Sequence, residues 1–259
     1  MQLYTQTFGA GPELVLVHGW GLHGGIWDQF VPLLAENFRI TCVDLPGHGR
    51  SGWQGEGTLD AMTEAVLSVV PTPAAWLGWS LGGLVAARAA LLAPGKVTAL
   101  VMIASTPCFV RKPGWQSAML PVLLDTFAAE LAQDYVRTLN RFLALQVRGS
   151  NGYGEVLKTL RALLLAYGEP DAAGLRAGLE ILRTADLRDR LGDIDCPTLL
   201  LMGERDTLVP VNAGHAASEL FPDAQLEVIA GAGHAPFLVA PEVVAGRINS
   251  FLCENIAPG

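Results

Sequence analysis

The 259-residue chain is 51% apolar and 16% charged, with a formal net charge of −8. That composition excludes intrinsic disorder and a general nucleic-acid-binding surface, and the length suffices for one large α/β domain or two small ones. The apolar stretch 73–87 is shorter than the ~20 residues a membrane-crossing helix needs and is interrupted by Gly and Ser, and the N-terminus has no basic leader, so a cytoplasmic protein with no membrane partner is expected.

The segment ELVLVHG (13–19) predicts a buried strand ending in glycine, and FRITCVDLPGHG (38–49) a second that runs into Asp and a Pro-Gly turn. Helix is expected over 58–70, a third strand in AAWLGW (74–79), helix over 81–93 and a fourth strand in VTALVMIAS (97–105). Short apolar runs separated by helices predict a mostly parallel sheet buried on both faces. From about 110 to 186 the texture changes, and MLPVLLDTFAAELAQDYVRTLNRFLALQVRG reads as successive helices. Strand signals return in CPTLLLMGERD (196–206) and QLEVIAGAGHAPF (225–237), and a helix near 241–253 closes the chain. The expected architecture is an α/β core over 1–109 and 187–259, interrupted by a helical cap at 110–186. Cys42, Cys108, Cys196 and Cys253 lie far apart without CxxC or Cys/His ligand spacing, so no metal or redox centre is expected.

The strand 74–79 passes into the helix 81–93 through Gly78-Trp79-Ser80-Leu81-Gly82. A strand turning sharply into a helix crowds its own backbone, and glycine two residues to either side relieves the crowding. Such a turn lifts the Ser80 hydroxyl above the carboxyl edge of the sheet, beside a helix N-terminus that favours developing negative charge. Serine is a weak nucleophile until a base takes its proton. In this turn the chain order is serine, acid, histidine, which removes His18, His23 and His48; His215 falls in a helix-like run. His234 stands in the glycine-rich loop after the last strand and is the candidate base. Asp206, at the carboxyl end of TLLLMG, is the best-placed acid to orient that imidazole, with Glu204 next. The Leu81 and Trp20 backbone N–H groups are the candidate oxyanion donors, His18 is read as structural, and Asp44 as a brace for the DLPGHGRS loop. No cofactor is required by this chemistry.

Together these residues resemble the α/β-hydrolase superfamily over the whole chain. HGWGL (18–22), VDLPG (43–47), WLGWSLGGLV (76–85), RFLALQ (141–146), GLEIL (178–182) and HAPF (234–237) further resemble the pimeloyl-acyl-carrier-protein methyl ester esterases of biotin synthesis. That resemblance implies hydrolysis of a methyl ester on a dicarboxylyl chain held by acyl carrier protein, with Trp20, Ser80, Leu81, Phe142, Gln146 and His234 at the substrate and Trp20 and Trp79 flanking its channel. If 134–146 is helical, Phe142 and Gln146 share one face, and Arg137, Arg141 and Arg148 lie near another. From 135 to 165 the cations Arg137, Arg141, Arg148, Lys158 and Arg161 face a single acid, Glu155, in an otherwise acidic chain. That excess would suit an acidic carrier protein and the phosphate of its arm, Arg137 and Arg141 being better placed than Arg148. The same triad would also serve a broad short-chain esterase, a thioesterase or a carbon–carbon bond hydrolase, and a receptor of this fold could retain it without turnover. A monomer is expected.

Overall fold

The computed structural model describes residues 2–164, 166–167 and 169–256. Its seven strands are β1 (Thr5–Phe8), β2 (Glu13–Val17), β3 (Arg39–Val43), β4 (Ala74–Trp79), β5 (Val97–Ile103), β6 (Thr198–Gly203) and β7 (Ala224–Ile229). They form one sheet in the order β1-β3-β2-β4-β5-β6-β7, with β1 antiparallel to β3 and every other pair parallel. The central strands are apolar along their whole length because helices cover both faces: all six residues of β4 and of β6 are buried. The edge strand β1 is polar and half-exposed, TQTF, and carries no apolar run that would announce it.

The strand order sets where a site can form. From β2 the chain crosses to β3 on one side and then to β4 on the other. The loops leaving β2 and β4 therefore diverge, and it is at this point of the carboxyl edge that sheets of such an order place their sites. Helix α2 (Leu81–Leu92) packs on β4, β5 and β2, and helix α1 (Leu59–Leu67) packs against α2. Nine of the twelve α2 residues are buried, and its small side chains let it lie close on the sheet: a Cβ on Gly82 would overlap the Val17 carbonyl.

Between β5 and β6 lie four helices, α3 (Pro121–Leu131), α4 (Tyr135–Gln146), α5 (Tyr153–Leu164) and α6 (Ala172–Thr184). Each buries an apolar stripe at helical spacing, such as Leu139, Phe142 and Leu143 in α4. The Asp134 carboxylate caps α4 and that of Asp171 caps α6, each accepting orphan backbone N–H groups of the first turn. These helices sit over the carboxyl edge of the sheet, where Gly47 in the loop after β3 meets Gly174 of α6 so closely that a Cβ on either would stand 2.6 Å from the other's Cα. The chain ends with α7 (Val211–Ser218), the short α8 (Pro236–Val239) and α9 (Pro241–Asn255). No helix among the described residues is long and apolar enough to cross a membrane.

Candidate active site

Ser80 sits between β4 and α2 with φ 55° and ψ −117°, a conformation that L-residues rarely adopt. A Cβ on Gly78 would collide with the Gly82 carbonyl, so the turn can close only with glycine there. The strained residue is held on both sides: its N–H donates to the Ile103 carbonyl (2.9 Å), and its carbonyl accepts from the Ser105 hydroxyl (2.7 Å).

Asp206 follows β6 and His234 follows β7, so both arrive at the same carboxyl edge as Ser80. The Asp206 Oδ2 to His234 Nδ1 distance is 2.7 Å, and His234 Nε2 lies 2.8 Å from Ser80 Oγ. A carboxylate can only accept, so Nδ1 carries the imidazole proton and Nε2 is left to accept from the serine hydroxyl. The other carboxylate oxygen, Oδ1, accepts the backbone N–H groups of Leu208 (2.8 Å) and Val209 (3.0 Å), which fixes the direction of Oδ2. The three residues are 3%, 6% and 1% exposed for Ser80, Asp206 and His234, so water competes little for these bonds. Glu204, the second-choice acid, instead accepts the Gly231 N–H at 2.8 Å and braces the histidine loop from outside.

The loop after β2 presses against the serine. A Cβ on Gly19 would stand 3.2 Å from Ser80 Cβ and 3.0 Å from the Trp79 ring, so glycine allows the approach. Among the described residues neither the Trp20 nor the Leu81 backbone N–H finds an intramolecular acceptor. The Trp20 indole N–H donates to the Leu175 carbonyl of α6 (2.8 Å), and its ring meets Phe142 edge-on at 4.9 Å. Gly178 makes room for that indole, since a Cβ there would lie 2.5 Å from Trp20 Cδ1. Phe142 and Gln146 both lie on the buried face of α4, and Gln146 Oε1 has no hydrogen-bond partner among the described residues. A buried amide oxygen without a partner is costly and is ready to accept from a polar group brought to it. Trp79 takes a different place from the channel wall expected of it. It is wholly buried, its indole donates to the His234 carbonyl (2.6 Å), and its ring packs on Phe237.

A second cluster lies behind the loop after β2. Asp44, fully buried, accepts from the Gly24 N–H (2.6 Å) and from the backbone and guanidinium of Arg50, which ties down the 44–51 loop. Burial opposes the Asp44 charge, yet the hydrogen bonds from the Arg50 guanidinium and from the Arg50 and Gly24 N–H groups hold its carboxyl below the usual range. His18 Nε2 accepts from the Leu45 N–H (2.9 Å) and its Nδ1–H donates to the Gly19 carbonyl (2.7 Å). That pairing requires the neutral ring, and burial together with the neighbouring His48 lowers the His18 pKa to about 3. Burial also lowers His48 and His23.

The cap cations Arg137, Arg141, Arg148 and Lys158 are each exposed. Arg141 pairs with Glu130, and Lys158 lies 4.0 Å from Glu155, whereas Arg137 and Arg148 have no ion-pair partner among the described residues. Helix α4 ends at Gln146, so Arg148 lies in the following turn and shares no helix face with Arg137 and Arg141. His215 lies on α7, which packs on β6 and β7, and makes no side-chain bond to the serine turn among the described residues. The Ser105 hydroxyl carries no sequence signal for its role, because only the fold brings it beneath Ser80.

The family whose description is "alpha/beta hydrolase fold" matches residues 12–241. A pimeloyl-[acyl-carrier protein] methyl ester esterase of Methylococcus capsulatus is 45% identical over 98% of this chain and 100% of that protein. One of the same name from Nitrosomonas europaea is 46% identical over 93% of this chain and 95% of that protein. Among solved structures, an esterase from Exiguobacterium antarcticum superposes with a TM-score of 0.90 at 24% identity, covering 97% of this chain and 95% of that one. A hydrolase from Pseudomonas aeruginosa does so at 0.85 and 29%, covering 96% and 94%.

Proposed function

The chain belongs to the α/β-hydrolase family, and from that premise we propose that it hydrolyses the methyl ester of pimeloyl-[acyl-carrier protein], with Ser80, His234 and Asp206 as its catalytic groups. The observation that carries the chemistry is the continuous bond from Asp206 through His234 to Ser80 Oγ, beside two unengaged backbone N–H groups. The substrate assignment is supported by relatives of that name at 45% and 46% identity over nearly the whole chain.

In this reading His234 Nε2 takes the Ser80 proton as Oγ attacks the ester carbonyl. The carbonyl π pair moves onto oxygen, which the Trp20 and Leu81 N–H groups receive; each such donor contributes about 3 kcal/mol of transition-state stabilisation. Asp206 stabilises the imidazolium without taking its proton. The intermediate collapses by breaking the bond to methoxide, which leaves as methanol with the proton from His234. Water then gives a proton to His234 and attacks the acyl-serine; collapse returns that proton to Ser80 Oγ and frees the carboxylic acid. One ester and one water give one acid and one methanol. The Trp20 and Phe142 rings offer an apolar seat for the chain's methylenes, and Gln146 a polar contact.

Arg137, Arg141, Arg148 and Lys158 are the surface we assign to an acidic carrier protein, where charge raises the association rate and orients the partner. Every group of the site comes from one chain, which suits a monomer. The four thiols are unpaired, which suits a reducing compartment such as the cytoplasm.

The test compares a carrier-bound methyl ester with p-nitrophenyl esters at low and high salt, for wild type and Ser80→Ala. The expected result is a preference for the carrier-bound ester that shrinks with salt, and loss of both activities in Ser80→Ala. Equal efficiency on both substrates with no salt effect would remove the carrier protein from the proposal, and an active Ser80→Ala would remove the serine.

A further inference from the structure

The histidine loop is held from two sides: from the core the Trp79 indole donates to the His234 carbonyl (2.6 Å) and the Arg205 N–H to the Ala232 carbonyl (2.8 Å), and from the cap it meets the end of α4 and the residues after it. The His234 N–H donates to the Gln146 carbonyl (2.8 Å), and the Gly233 N–H to the Ser150 hydroxyl oxygen (2.9 Å). In the opposite direction the Asn151 N–H donates to the Gly231 carbonyl (2.8 Å). The contact is built for close approach. A Cβ on Gly233 would stand 2.6 Å from Ser150 Oγ and 2.8 Å from the Gln146 carbonyl oxygen, and Gly231 adopts φ +69° with Asn151 against it. Arg205, the neighbour of Asp206, closes the assembly by donating from Nη1 to the Gly149 carbonyl (2.9 Å) and to Asn151 Oδ1 (3.1 Å). Ser150 is buried and lies outside the groups assigned to the substrate.

The consequence comes from what residue 146 does twice. Its side chain lies on the buried face of α4 with an unpartnered oxygen, while its carbonyl holds the backbone of His234. A shift of α4 therefore pulls the His234 backbone against its Trp79 and Asp206 anchors, and imidazole position sets the 2.8 Å bond to Ser80. We propose that residues 146–151 are a latch through which the helical cap positions the base, with Ser150 as a positioning residue acting through the Gly233 N–H. This deepens, and rests on, the reading of His234 as the base.

The test uses the full-length enzyme and a soluble methyl ester, with Ser150→Ala, Ser150→Thr, Arg205→Ala and Ser80→Ala measured together. Ser150→Ala removes the acceptor of a buried N–H and lets the loop drift. A misplacement below 1 Å lowers kcat on the order of 10- to 100-fold, while KM stays within about threefold. Ser150→Thr keeps the hydroxyl oxygen and recovers most of kcat. The downfield Nδ1–H proton resonance of the His234–Asp206 bond broadens in Ser150→Ala and sharpens again in Ser150→Thr. A merely structural serine would lower the melting temperature and leave the kcat of the folded fraction and that resonance unchanged, which would overturn the latch. Arg205→Ala, on an exposed side chain, gives the same kcat loss at smaller size and decides the matter if Ser150→Ala does not fold. An inactive Ser80→Ala beside an unaltered Ser150→Ala and Arg205→Ala sinks the latch alone; an active Ser80→Ala sinks the reading beneath it.

Discussion

Acid destabilises this fold well before its carboxylates titrate, because it buries histidines in their neutral form. His18 is the sharpest case: its Nε2 accepts the Leu45 N–H, so a proton added there would oppose one N–H with another in a fully buried site. Its pKa falls from 6.5 to about 3 on folding, by burial first and then by the neighbouring His48. A folded pKa below the unfolded one means that the unfolded chain holds the extra proton, so stability is full above pH 6.5 and is lost as the pH falls toward 3. The slope approaches about 1.4 kcal/mol per pH unit for one proton, and from pH 7 to 5 the loss from His18 alone is about 2 kcal/mol. His23 and His48, also lowered by burial, add to it with the same sign. Asp44 contributes nothing to the slope in this window, since its stabilisation is lost only as the pH falls through a folded pKa below the ordinary 3.8. Urea unfolding at half-unit steps from pH 7.5 to 5 measures the slope directly, with His18→Asn as the comparison. The variant is expected to shed one proton's worth of slope. A wild-type stability that changes by less than about 0.5 kcal/mol over this range, or a His18→Asn slope equal to the wild type, refutes the reasoning.

Replacing Asp206 by Asn keeps the two backbone bonds to its Oδ1 but no longer fixes the proton on His234 Nδ1; kcat is expected to fall on the order of 10³- to 10⁴-fold with little change in urea midpoint, and a loss under tenfold would contradict the assigned role. Phe142→Ala empties the space between Trp20 and Phe127, costing about 3–5 kcal/mol in urea unfolding and raising KM for long-chain esters more than for acetate; equal effects on both chain lengths would take Phe142 out of the acyl seat. Arg137→Glu with Arg141→Glu is expected to raise KM for the carrier-bound ester about tenfold at low salt and to leave p-nitrophenyl acetate untouched, and an equal effect on both substrates would refute a docking role.

What could be read from the sequence was whatever is written in local pattern. The buried strands announce themselves as unbroken apolar runs, and β4 with α2 around Ser80 carries its glycines where the backbone has no room for a side chain. Asp206 and His234 could be named because a parallel sheet delivers the ends of its strands to one edge, so position in the chain order substitutes for position in space. The polar edge strand β1 has neither signal, since one side of it faces solvent and its sequence, TQTF, has no apolar run. Ser105 and Ser150 were illegible for another reason. Each hydroxyl serves a backbone group far away in sequence, under Ser80 and on Gly233, and a lone serine in a loop looks the same whether it meets water or a buried amide. Trp79 shows the converse: the resemblance set it at the channel, but only the packed structure turned its indole onto the His234 carbonyl.

The three reacting groups are not anchored alike, and the difference has a physical consequence. Ser80 and Asp206 stand at the ends of central strands, and the cost of the strained serine backbone, about 1–3 kcal/mol, is offset by bonds to Ile103 and Ser105 and by the burial of α2. Their positions follow from the core, and changing them means disturbing the sheet. His234 stands on a glycine-containing loop whose amides are satisfied by Gln146 and Ser150 from the cap side and Glu204 from the core side. Its carbonyl is also held by the Trp79 indole, so its position depends on the seated cap as well as on the core. Substitutions in the sheet, such as Leu201→Ala, should therefore lower stability before they change kcat, whereas Ser150→Ala, which costs about 1–3 kcal/mol for the unmet Gly233 N–H, should also lower the kcat of the folded enzyme. A ratio of kcat loss to stability loss that is the same for both groups would mean that the base is fixed by the core after all.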